Sequence, residues 1–590
     1  MTRLSIDPVT RLNGQLRVDV DVTAGAVSDA WSAGTMFRGL ENVIRGRDPR
    51  EVWLLASRIC GTCSSVHALA SVRAVERALN VRIPTNARIL RNLLASTQLV
   101  RDHVLTFYQA QLPDWVDASA SLRADPVATA TLGRSMADWP SSTADSLRAV
   151  QARLAPVLES DQPGPFSSPW SGHPGFALSP EQSLLLLAHA LEALDWQRDV
   201  MRIHALLGGK DPHPQTYLVG GMALAPPWGG PAPSQQRGHP DVPDRNAPHP
   251  LSDAGLTMLD DLIGRAGAFV DRVFLPDVRL LVAAYPDWTQ IGGGSGNYLS
   301  WGDLAETDER EPPLYLPAGR LVNGNLASIK AADQDGVGES VAHAWYAEDR
   351  GPAALRAPVD GITDAAFDAV LPLGALDTEG RYSWVKAPRY DGEPMETGPL
   401  ARVLVAYAQG RDAITSPLGA LLTATGLGAE AMPSVLGRLM ARAVEAAAIA
   451  KRADSWVWEL RTNLATGDVA VVDLSTWDPG SWPDEADGWS TGEGPRGAVA
   501  HWVSIRDKAI DHYQVVDGST WNLSPRDTFG RRGPIEDALL RTPVADPTRP
   551  LEVLRVVHSF NPCPACAVHA FDPRGAGPFD IRIHATEASR

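Results

Sequence analysis

Apolar and polar residues alternate near the start of the chain, with Leu16, Val18 and Val20 set against Arg17, Asp19 and Asp21. This period of two predicts a strand and hairpin within the first 30 or so residues. After Cys63 the period lengthens: SSVHALASVRAVERALN is apolar on one helical face and predicts an amphipathic helix, stopped by Pro84. Longer helical stretches are predicted at 86–111, 180–207 and 252–274, with an alanine-rich fourth at 433–464. Helices of this length predict a bundle that carries the core. Between them, 225–250 is crowded with proline and glycine and has no period, which predicts a long surface excursion. Residues 300–400 carry acidic and Pro/Gly clusters and read as an irregular α+β excursion from the bundle. No segment repeats another.

A chain of 590 residues exceeds the size at which one core usually keeps growing, so one large domain with subdomains, or two domains, is expected. No apolar run is long enough to span a membrane, which leaves membrane attachment to a partner. A net charge of -17 lacks the basic footprint of a nucleic-acid binder and excludes that class. The 18 tryptophans point to core and interface packing. MTRLSIDPVT has no signal-peptide pattern.

All four cysteines lie in two CxxC pairs, Cys60/Cys63 in RICGTCSSVH and Cys563/Cys566 in NPCPACAVH, separated by almost the whole sequence. CxxC is a poor spacing for structural disulfides. Two such pairs can form one tetrathiolate site for a soft metal, which would tie the two ends of the chain together. Zinc ribbons space their pairs by about 15–20 residues, far less than here. Spacing alone leaves a structural and a catalytic metal both open.

The flanking residues separate the two. Arg58 and His67 frame the first pair as RxCGxCxxxH, while Pro562 and His569 frame the second as PCxxCxxH. These frames resemble the two signature motifs of the large subunit of nickel-iron hydrogenases. The likeness extends, in order, through DPVTRLNGQLRVDV, GTMFRGLENVIRGRDPR, ASVRAVERALNVRIPTNARILRNL, HPQTYLVGGM, GPRGAVAHWVSI and YQVVDGSTWNLSPRD, and so covers essentially the whole chain.

The resemblance implies a mainly α (α+β) fold, a long central helix bundle with small peripheral sheets, in which the N- and C-terminal CxxC pairs meet at a buried metal site. It implies a single interleaved domain over 1–569, and a tail over 570–590 that a maturation endopeptidase removes after His569 once nickel is in place. By the same resemblance Cys60 and Cys563 are terminal nickel ligands. Cys63 and Cys566 bridge nickel to an iron that carries carbon monoxide and cyanide. Cys563 is a first proton acceptor, Arg496 hangs over the metals beside Pro495, and Ser519 donates to a cyanide. His67 tunes a bridging sulfur and Asp102 neighbours the arginine. Glu41, the His569 ring and the Val515 carbonyl form a separate magnesium site.

Two departures stand out against the family pattern. The segment TRLNGQL places Asn13 where the family's TRIEGH has a glutamate, and Gln15 where it has a histidine. Asn561 likewise replaces an aspartate before the second pair. Asparagine does not bind and release a proton near neutral pH, so the usual proton exit is lost. Either the proton leaves by water and Asp102, or the protein is a metal-binding H2 sensor or low-turnover paralogue. The related quinone-pocket subunit of respiratory complex I lacks these cysteine pairs.

With every cysteine in one site, none remains for the clusters that carry electrons singly. The implied assembly is an obligate heterodimer with an iron-sulfur small subunit, an uptake hydrogenase that oxidises H2 and passes electrons to a membrane cytochrome or quinone-linked acceptor. Membrane association would come through those partners, on the periplasmic face if the chain is exported folded with a small subunit bearing a twin-arginine signal.

Overall fold

The computed structural model describes residues 2–160, 172–224, 249–347, 355–361, 363–367 and 376–567, together with a strand at Arg582–Glu587. The predicted proline-rich excursion lies almost wholly outside the described residues, as do His569 and most of the tail.

In chain order, the elements that matter here begin with strands β1 (Thr2–Asp7), β2 (Leu16–Thr23) and β3 (Ala26–Gly34). Helices α1 (Ser64–Ala78), α2 (Thr85–Leu105), α3 (Pro180–Gly208) and α4 (Asp253–Phe269) follow. Next come α5 (Pro399–Ala408), α6 (Val435–Ala465) and the meander β4 (Glu485–Gly494), β5 (Gly497–Arg506) and β6 (Ala509–Val516). The short helices α7 (Gly518–Asn522), α8 (Leu551–Ser559) and α9 (Pro564–Ala567) and the strand β7 (Arg582–Glu587) complete the set.

Helices α2, α3, α4 and α6 pack on one another as the predicted bundle, and the sheets sit around it. Caps fix where the helices begin. Ser179 and Gln182 form a reciprocal capping box at α3, and the Ser434 hydroxyl accepts the Gly437 N–H at α6. Alanines at 441, 443, 446, 448, 450 and 453 are all buried, which lets neighbouring elements approach α6 closely. After Leu105 the α2 helix widens into a π-helical turn, Thr106–Gln111. From that turn Gln111 Nε2 reaches the His558 carbonyl at 2.9 Å, tying the bundle to the segment before the second cysteine pair.

The N-terminal sheet departs from its sequence pattern. Alternation predicts one solvated face on β2, yet Arg17, Asp19 and Asp21 are all buried. Ion pairing explains it: Arg17 Nε lies 2.8 Å from Asp19, and Arg3 grips Asp21 at 2.8 and 2.9 Å while lying over the Trp31 ring. Strand β7 pairs antiparallel with the outer edge of β1, from Thr2 opposite Glu587 to Asp7 opposite Arg582. Among the described residues, no helix is long and apolar enough to cross a membrane.

Candidate metal centre

The two CxxC pairs arrive on different kinds of backbone. Cys60 is extended, at the end of the short turn Ser57–Ile59, and Cys63 is the N-cap of α1. Cys563 and Cys566 lie on the single turn of α9 and just before it. Gly14 makes the meeting possible. It holds φ +106°, and a Cβ there would lie 2.4 Å from the backbone nitrogen of Ala565, so only glycine admits the second pair against the TRLNGQL loop. The Asn13 carbonyl then accepts the Ala565 N–H at 3.1 Å.

All four thiols are buried and free of disulfides. The Sγ atoms of Cys63 and Cys566 lie 3.4 Å apart, those of Cys563 and Cys566 2.9 Å, and those of Cys60 and Cys563 3.9 Å. Ligand atoms of Cys60, Cys63 and Cys566 fall within 4.8 Å of one another. Convergent thiolates of this kind suit soft or borderline ions such as nickel.

The sulfurs are not equivalent. Cys60 Sγ accepts the N–H groups of Cys63 at 3.2 Å and Thr62 at 3.4 Å, and the Asn13 amide points at it from 3.7 Å. Burial opposes its ionisation, but hydrogen bonds from the other cysteines and the charge of Arg496 hold this thiol well below its ordinary range. Burial pushes Cys563 and Cys566 well above theirs.

Arg496 sits in the turn between β4 and β5, where Gly494 pairs with Gly497. Its guanidinium is buried, and neither Nε nor Nη1 has a protein partner. Orphaned donors of this kind are costly unless an acceptor lies over the thiols, as a metal-bound diatomic would. Ser519, on α7, accepts the Cys563 N–H at 3.2 Å through Oγ, which leaves its own proton free to donate.

His67 lies one helical turn beyond Cys63. Its Nδ1 meets His501 Nε2 at 3.2 Å, and His501 Nδ1 meets the Tyr513 hydroxyl at 2.7 Å. Burial, with Arg496 and Arg38 nearby, lowers the His67 pKa to about 4, so the ring is neutral near pH 7. Its ligand atom, one from Asp517 and the Cys566 sulfur lie within 4.8 Å of one another. Burial pushes Asp517 up to about 6 against hydrogen bonds from Thr520.

Asp102 lies in α2. Its Oδ2 accepts from Gln98 at 2.8 Å, and Arg101 Nε is 3.8 Å away. Burial raises its pKa, with Arg101 and Arg496 opposing. Asn561, at φ +53°, donates to the Thr106 hydroxyl at 2.8 Å in the π-helical turn. Glu41 accepts the Val515 N–H at 2.9 Å and the Thr363 hydroxyl, so both its oxygens meet the chain itself.

Sequence reading missed the buried charges behind this site. Arg402 joins Glu445 and Glu493, and Arg438 grips Glu396 with two bonds of 2.7 Å. One signal was available: Arg438, Arg442 and Glu445 share one face of an otherwise apolar, alanine-rich helix. Asp517 and the His501–Tyr513 pair carried none.

The fold and site together define a mainly helical subunit whose two ends close a buried tetrathiolate under an unpaired arginine. The sequence profile described as "Nickel-dependent hydrogenase" matches residues 38–569. The uptake hydrogenase large subunit of Bradyrhizobium diazoefficiens is 41% identical over 587 residues, covering 97% of this chain and 96% of that one. The hydrogenase-1 large chain of Escherichia coli is 39% identical over 596 residues, covering 98% and 97%. The solved reduced Ni-Fe-Se hydrogenase of Desulfovibrio vulgaris Hildenborough superposes with a TM-score of 0.74 at 29% identity, covering 96% and 100%. The chain belongs to the nickel-dependent hydrogenase large-subunit family.

Proposed function

We propose that this chain is the catalytic large subunit of an uptake hydrogenase, oxidising H2 to protons and electrons. The observation that carries the reading is the convergence of four free, buried thiols beneath the unpaired donors of Arg496. Cys60 and Cys563 would hold nickel terminally, and Cys63 and Cys566 would bridge it to an iron bearing carbon monoxide and cyanide. When bound, these metals supply the two-electron chemistry on H2. The chain's residues hold the pair, exclude water and move the proton. Arg496 and the Ser519 hydroxyl would donate to the two cyanides, and Pro495 lends a rigid edge beside them.

Cys563 would take the proton first. With Asn13 in place of a base, the exit runs through Asp102, a buried carboxylate whose pKa burial raises. Gln98 fixes one oxygen of Asp102, and beyond it Arg101 pairs with Asp211 at 2.7 Å, which meets His204 at 3.0 Å. Glu41, Val515 and His569 would hold magnesium, with waters completing its shell. An iron-sulfur small subunit would take the electrons toward a membrane cytochrome or quinone-linked acceptor. An endopeptidase would remove 570–590 after His569.

A second reading, an H2 sensor or low-turnover paralogue, draws on one observation. Asn13 donates toward Cys60 rather than accepting from a thiol. The purified heterodimer decides between them. Nickel together with iron, infrared bands of bound carbon monoxide and cyanide, and sustained H2 uptake support the enzyme. Metal-loaded protein that turns over at a negligible rate supports the sensor, and zinc alone contradicts both.

A further inference from the structure

Arg442 is a buried guanidinium, 1% exposed, with no carboxylate oxygen within 4.0 Å among the described residues. Buried charges are normally paired, because desolvating one costs several kcal/mol or so. This one instead spends its donors on two backbone carbonyls. Nη1 reaches the Pro495 oxygen at 3.4 Å and Nη2 the Ser559 oxygen at 3.3 Å, while Nη1 also lies 3.5 Å from His103 Nδ1. Pro495 immediately precedes Arg496, and Ser559 ends α8 four residues before Cys563.

Its neighbours on α6 make the same junction. Arg438, one turn earlier, lies 3.7 Å over the Phe560 ring and 3.4 Å from the Ser559 hydroxyl. Glu445, one turn later, holds Arg402, whose Nη1 donates to the Gly494 carbonyl at 2.9 Å. Positions 438, 442 and 445 form one stripe along the helix, and besides Glu396, Gly292 and His103 the stripe reaches the Arg496 turn and the segment leading to the second cysteine pair. Burial, then repulsion from Arg402 and Arg496, lowers the Arg442 pKa to about 9 against the pull of Glu445, so the residue stays charged at neutral pH without a carboxylate in contact.

We infer that Arg442 is a positioning residue for the metal centre, a single fork that clamps the turn carrying Arg496 and the segment carrying Cys563 to one rigid helix. The clamp sets where the Arg496 donors stand relative to the thiols. A lysine cannot replace it, because a point ammonium lacks the planar fork that reaches two carbonyls at once. The inference rests on the reading that the thiols hold nickel and iron, but its mechanical part concerns the chain alone.

The test compares Arg442→Met and Arg442→Lys with wild type. Arg442→Met removes a charge that has no carboxylate partner, so it leaves no orphaned anion and is expected to melt no lower than wild type. It should keep its nickel while the cyanide infrared bands shift or split. H2 uptake should fall by about 10- to 100-fold in kcat, as misplacement of a catalytic group produces, with little change in KM. Amide hydrogen exchange in the full-length chain should rise selectively in peptides covering 492–498 and 558–567. Arg442→Lys should fall between the two.

Bands and exchange indistinguishable from wild type in both variants would overturn the clamp, as would general destabilisation with exchange raised throughout α6. Wild-type protein without cyanide bands would instead remove the proposed function. The exchange measurement would then decide the clamp alone.

Discussion

The two cysteine pairs close one site but live in different chemistry. Cys60 accepts two backbone N–H groups and faces a side-chain amide, whereas Cys563 meets only other sulfurs and gives its own N–H to Ser519. Negative charge is therefore favoured at Cys60, whereas Cys63, Cys563 and Cys566 resist it. Thiols must lose protons to bind metal. Metal binding at this site therefore requires proton release from the thiols that resist ionisation, with the backbone N–H groups around Cys60 favouring its charged form. The same contrast bears on catalysis, since a sulfur that resists ionisation takes up a proton more readily than one that is held ionised.

Removing either end of the contrast has the largest effect. Cys563→Ala should abolish nickel retention, read by elemental analysis of purified protein, and H2 uptake with it. Next comes the exit. Asp102→Asn should lower kcat for H2 uptake by about 10²- to 10⁴-fold, the usual contribution of a positioned acid or base, while nickel content and cyanide bands persist. Asn13→Ala should alter uptake far less, because an amide carries no proton away. Equal losses in the two variants would mean that the route does not pass through Asp102.

Smaller effects follow from the histidines. Burial lowers His103 to about 4 although Glu445 lies 3.3 Å away, and His67 behaves alike. The unfolded chain binds a proton at each near the ordinary 6.5. The folded chain resists until about 4, so this stability is present above pH 6.5 and lost as pH falls through that window. A full shift of this size corresponds to ~3 kcal/mol per ring. His103→Gln should flatten the dependence of the urea midpoint on pH by close to one proton between pH 6.5 and 4. The smallest effect is Ser519→Ala, which loses one buried hydrogen bond to the Cys563 N–H. It should cost about 1 kcal/mol in unfolding measurements, with nickel retained.

Local periodicity made the long elements legible. The helices at 180–207 and 433–464 appear almost to the residue, because each pairs a serine cap with a sustained apolar face. Helices at Pro126–Met136, Ala144–Leu158 and Asp412–Thr425 were missed, since each is short and buries only a few residues. At the site, the cysteine frames and the arginine turn are contiguous in sequence and could be read directly. The partners of Arg402, Arg438 and Arg442 could not. Their contacts join residues distant along the chain, and a buried arginine has the same letter as a solvated one. Asp517 shows the same limit, a helix cap by sequence that the fold turns toward His67 and Cys566.

On the proposed function, this convergence of thiols splits H2 although amides stand where the family has carboxylates. The most direct measurement incubates the purified, metal-loaded heterodimer under H2 in deuterium oxide without electron acceptor and follows HD by mass spectrometry. Steady HD formation, reduced in the Asp102→Asn variant and retained in Asn13→Ala, is the predicted result. Protein that shows the carbon monoxide and cyanide bands yet forms no HD above the metal-free control would contradict it.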